Sequence, residues 1–180
     1  MLESLWLPVV LTAVALFFCS FLSWMVLHLH KSDWRKLPNE DEVMTTAAKW
    51  NLPVGSYMFP YACENKEMQS EAFQKKYKDG PRGILQIMPA ANMGAKLGFT
   101  ILYFLVVAFA LAYLSSVAFQ AGETFLNVFR FIFTAALLIF LAATVQHSIW
   151  FNTRVTGHVI ESLLYAAVAG AIFAGLWPGK

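Results

Sequence analysis

Charge is what this sequence has least of. Only 13% of its 180 residues are Asp, Glu, Lys or Arg, about half the share usual in soluble domains, while 58% are hydrophobic. So few charges cannot cover a water-exposed surface. The net charge of +2 is too small to draw nucleic acid, and no base-reading module is present, so no nucleic-acid partner is expected. Cysteine is scarce too. Cys19 falls in an apolar run and Cys63 in a polar loop, which argues against a disulfide between them. Catalytic signatures are missing as well: there is no glycine-rich phosphate loop, nucleophile elbow, paired-cysteine motif or mid-span acidic residue of the kind that drives proton-coupled export. No inverted repeat relates the two halves, which weakens a transporter reading. Nothing names an enzyme, and a non-catalytic protein is the expectation.

What is present is a set of long uncharged runs. Residues 4–30, 97–122, 131–153 and 162–179 contain no Asp, Glu, Lys or Arg. A charge near the bilayer centre costs several kcal/mol and a spanning helix needs about 20 apolar residues, so each run predicts one membrane span. The last spans if it starts near Val159 and leaves Glu161 at the headgroups. Trp6, Trp24, Trp150 and Trp177 mark span edges, where amphipathic rings settle. No basic residue precedes the first run, which is long and has no small-x-small cleavage pattern directly before Trp24, so it reads as a retained anchor. The fold class is an all-α, four-transmembrane-helix bundle. Its organisation is helix 1 in residues 1–30, a loop region with short helices in 31–96, and helices 2–4 in 97–180.

Orientation follows from thirteen basic residues, ten of which lie between the first two spans. Basic loops stay inside. Residues 31–96 are therefore expected in the cytoplasm and both termini outside. Within that loop, Asn39 is placed to cap a helix with Glu42 three residues on, ending near Asn51 before Pro53. A second polar helix is predicted over 65–78, stopped by Asp79-Gly80-Pro81. The stretch 52–61 is too apolar for a solvated linker and is expected against the membrane surface or the helix ends. The short apolar run 83–89 reads as a strand or an interfacial segment.

The segments His30-Lys31-Ser32-Asp33-Trp34-Arg35-Lys36-Leu37-Pro38-Asn39-Glu40, Gly55-Ser56-Tyr57-Met58-Phe59-Pro60, Asp79-Gly80-Pro81-Arg82-Gly83 and Gly175-Leu176-Trp177-Pro178 together resemble a group of small multi-pass bacterial inner-membrane proteins of unknown function. The resemblance covers nearly the whole chain. It implies a bacterial plasma membrane and assigns no functional residue.

The four histidines fall near one membrane face under this topology. His28, His147 and His158, with Glu161 one turn beyond His158, form a candidate site for a transition metal or haem, since imidazole and carboxylate are ordinary ligands. His28 and His30 point about 200° apart on a continuous helix, and no His-Glu-x-x-His pairing occurs. The expected role is therefore interfacial histidines bonded to headgroups, water or helix-end carbonyls, with no cofactor. His147, His158 and Glu161 are expected close together but not aimed at one point, and His28 and His30 turned to the interface.

Arg130 and Glu161 are the charges nearest hydrocarbon. Arg130 is expected to reach Glu123, two turns back, and Glu161 to pair with Arg154 and His158. Ala166, Gly170 and Ala174 make a small-residue stripe suited to close helix packing in the bundle or an oligomer, and Ala167, Ala171 and Gly175 make a second. Five methionines of the loop read as packing residues rather than soft-metal ligands. The expected partners are the lipid bilayer and other membrane subunits or further copies of the chain. The function expected is an accessory or scaffolding component of a membrane complex; the alternative is a metal or haem protein, or small carrier, using the inner-face His/Glu cluster.

Overall fold

The computed structural model describes residues 1–179. Its elements run α1 (Trp6–Phe21), α2 (Glu40–Lys49), β1 (Gly55–Phe59), α3 (Asn65–Met68), α4 (Glu71–Asp79), β2 (Gly83–Ile87), α5 (Met93–Ala118), α6 (Phe125–Phe151) and α7 (Thr156–Gly175). A 3-10 turn, Leu2–Leu5, leads into α1 and a π turn, Leu22–Val26, continues it. The chain forms two compact units, residues 36–92 and the remainder on either side.

In the larger unit, four helices are long and apolar enough to cross a membrane: Leu2–Val26, α5, α6 and α7. Each of the four helices starts ahead of its uncharged run and stops short of that run's end. α6 starts at Phe125 rather than 131, because Thr124 caps it through Oγ1, which accepts from the Asn127 backbone N–H at 3.4 Å. Arg130 consequently sits in its second turn. α7 starts at Thr156, three residues ahead of Val159.

α7 is the centre of the bundle. Half of its most apolar stretch is buried, against 17% for α6; it packs on both α6 and α1, α1 also packs on α5, and α5 touches α6 only lightly. Small side chains make this possible. Ala166, Ala169 and Ala174 are fully buried, and a Cβ on Gly170 would lie 2.9 Å from the Phe129 ring and 3.3 Å from its carbonyl oxygen. The stripe Ala166, Gly170, Ala174 thus meets neighbouring helices, while Ala171 and Gly175 on the second stripe are exposed. Leu5, Val9, Leu111, Ile132 and Phe173 fill the space between helices.

The end of the bundle that holds Leu2 and Phe119 is closed by Trp177. Its side chain is 2% exposed, with Nε1–H donating to the Gln120 carbonyl at 3.0 Å. The Gly122 N–H donates to the Pro178 carbonyl beside it. Trp6, Trp24 and Trp150 are exposed.

The smaller unit differs from expectation in two places, the polar helix over 65–78 and the cap at Asn39. Residues 55–59 pair antiparallel with 83–87, one of the two readings of that apolar run, with Tyr57 opposite Leu85 and Met58 opposite Ile84. The polar helix over 65–78 is two helices, because Ser70 breaks the run and caps α4 through the Phe73 N–H at 3.2 Å. Asn39 precedes α2 in a left-handed conformation, φ 54°, without a side-chain cap. The Arg82 guanidinium lies 4.7 Å over the Tyr77 ring.

Candidate functional site

The site begins where α1 stops. Its π turn places the Leu27 N–H on the Leu22 carbonyl, 2.8 Å, and the Leu29 N–H on the Ser23 carbonyl, 3.0 Å. His28 takes a left-handed conformation, φ 50°, a known helix stop that non-glycine residues adopt sparingly. The chain then reverses through a second 3-10 turn, Lys31–Asp33. His28 is left exposed, with Nδ1 2.9 Å from the Val26 carbonyl. His30 is carried back into the bundle and is 2% exposed, so the expectation that both histidines face the interface fails for His30.

His30 lies between two carboxylates. Its Nδ1 is 2.8 Å from Asp33 Oδ2 and its Nε2 is 3.2 Å from Glu161 Oε2, across from α7. The Trp24 indole stacks on its ring, centroids 4.1 Å apart at 16°, and the His158 ring lies 4.5 Å away. His158 Nε2 is 3.9 Å from Asp33 Oδ2. The other Glu161 oxygen accepts the Tyr165 hydroxyl at 2.6 Å. Gly157 lets the two segments meet, since a Cβ there would fall 2.7 Å from the Leu29 carbonyl and 3.1 Å from His30 Nδ1.

Hydrogen-bond roles constrain this arrangement. An ionised carboxylate only accepts, and a neutral imidazole has one N–H. Contacts to Asp33 and Glu161 from opposite ring nitrogens therefore call for a shared positive charge: an imidazolium, a proton on one carboxyl, or a cation. Asp33 Oδ1 is buried and finds no hydrogen-bond partner among the described residues. Buried carboxylates without compensation are costly, so the cluster needs one of these three.

Of the residues singled out in the sequence, His158 and Glu161 meet, and His28 and His147 stand apart. His147 is exposed and lies against Phe151, centroids 4.5 Å apart. Glu123 bonds to the Thr124 backbone N–H at 2.8 Å and the Asn127 amide at 2.9 Å, which hold its carboxyl below the ordinary range. Arg130 instead borders an open groove of about 560 Å³ along α6, with Phe119, Asn127, Phe131, Thr134 and Leu138. Arg154 is exposed. The sequence reading chose His28 over His30 and did not place Asp33, Trp24 or Tyr165 in the site. The signal available was a pair of matching spacings, His30-Lys31-Ser32-Asp33 and His158-Val159-Ile160-Glu161.

Comparison with protein-family models, curated proteins and solved structures returned no match to this chain. The fold and the site define a helical protein with four helices fit to cross a membrane, consistent with a multi-pass membrane protein, and a buried histidine–carboxylate cluster among its helix ends.

Proposed function

We propose that this chain is a non-catalytic integral membrane protein that serves as an accessory or scaffolding component of a larger membrane assembly. Its place is a bacterial plasma membrane, with residues 31–96 in the cytoplasm and both termini outside; the ten basic residues between the first two spans support that orientation. The observation that carries the functional reading is the groove along α6. α5 and α6 barely touch, so the outer side of α6 lacks the helix neighbour that α7 has on two sides. The groove's wall is apolar, from Phe119 to Leu138, with Asn127, Arg130 and Thr134 interspersed. Lipid chains cover an apolar face but satisfy hydroxyl and guanidinium groups poorly, whereas a helix bearing polar side chains answers both.

Native mass spectrometry of protein extracted gently from its own membranes tests this reading. The expected spectrum contains a stable complex, with a second protein or with further copies, that Thr134→Trp weakens by filling the groove. A lone monomer under every mild extraction condition contradicts it.

A further inference from the structure

We propose that His30, His158 and Glu161 form a binding site for a divalent transition-metal cation of the Zn2+ class, with Asp33 and Tyr165 orienting the ligands. One donor atom from each of the three residues falls within 4.8 Å of the others. His30 Nε2 and Glu161 Oε2, 3.2 Å apart, subtend an angle of about 100° at an ion held by bonds of about 2.1 Å, within the range of tetrahedral ligation. The His158 ring closes the set by moving inward up to about 1.4 Å, the difference between the 4.8 Å spread and a tetrahedral ligand spacing of about 3.4 Å. Its side chain is 35% exposed, which provides both the room for that motion and the route by which the ion enters. Two imidazoles and one carboxylate are donors that suit first-row dications, and they leave a further coordination position open.

The surrounding groups are placed as a metal centre requires. A ligating histidine commonly donates its distal N–H to a carboxylate, which fixes the tautomer and aims the other nitrogen's lone pair at the ion. His30 has this arrangement: Nδ1 faces Asp33 Oδ2 at 2.8 Å, leaving Nε2 for the metal. Tyr165 holds the other Glu161 oxygen at 2.6 Å, so Oε2 stays directed at His30. Trp24 stacked on the ring fixes its plane. A dication also supplies the positive charge that the opposed acceptors need, where a proton satisfies only one contact at a time unless His30 is charged.

The test uses full-length protein without a histidine tag, stripped by chelator and titrated with Zn2+ alone and with Co2+ alone, the latter read by its visible absorption. The expected result is one ion per chain. His158→Ala and Glu161→Gln should weaken binding at least tenfold, and Asp33→Asn about 10- to 100-fold as the loss of an orienting partner. His147→Ala should leave it unchanged. His158→Ala removes a partly exposed ring and Glu161→Gln keeps an acceptor for Tyr165, so both variants test ligation in a folded chain, as circular dichroism will confirm. Absence of saturable binding in the wild type, or binding that His158→Ala spares and His147→Ala removes, overturns the proposal.

Discussion

His30 and Glu161, 131 positions apart in sequence, meet at 3.2 Å and fasten the chain beyond α1 to the first turns of α7. Removing one partner of a buried pair strands the other, at a cost on the order of 3 kcal/mol. Glu161→Ala is therefore expected to destabilise by about that much, since it also leaves the Tyr165 hydroxyl without its acceptor. A double-mutant cycle with His30→Leu, followed by reversible unfolding in micelles, should return a coupling above about 1 kcal/mol. Additive effects would mean that the contact contributes nothing of its own.

Gly157 and Gly175 sit at the two ends of α7 and predict opposite outcomes. A Cβ at Gly157 meets the Leu29 carbonyl at 2.7 Å, whereas one at Gly175 meets nothing within 4 Å. Gly157→Ala should cost roughly 1–3 kcal/mol, as overpacking does, and displace His30. Gly175→Ala should be neutral or slightly stabilising. Thermal unfolding of the two variants side by side makes the comparison.

The same logic separates the two small-residue stripes. Gly170 abuts Phe129 while Ala171, one position on, is exposed. Gly170→Leu should lower thermal stability sharply by forcing α6 from α7, and Ala171→Leu should change it little. Equal sensitivity at both positions would place a further helix on the outward stripe.

The bundle was legible in the sequence because charge is excluded from hydrocarbon wherever it lies, so counting uncharged residues finds spans without knowledge of their neighbours. That same counting excluded Arg130 and started α6 too late, since it cannot see the Thr124 cap. The site was half legible. Whether His28 or His30 faces the bundle depends on where α1 stops, and that is decided by a π turn and one left-handed residue that no hydrophobic period encodes. The pairing of Tyr57 with Leu85 was hidden for a related reason: strand partnership joins distant segments, and each alone reads only as a short apolar run.

Orientation has its own check. If the basic residues between the first two spans set topology, a reporter fused after Gly80 should register as cytoplasmic and one fused at the C-terminus as external. The reverse pair would invert the map and put the His30–Glu161 cluster on the outer face.

The claim that the chain works by docking to another membrane protein is tested most directly by photo-crosslinking within native membranes. A photoreactive residue at Leu138, inside the groove along α6, is compared with one at Phe109, on the outward face of α5. A discrete protein adduct from Leu138, with only lipid adducts from Phe109, is the predicted result. Lipid adducts alone from both positions would contradict the account.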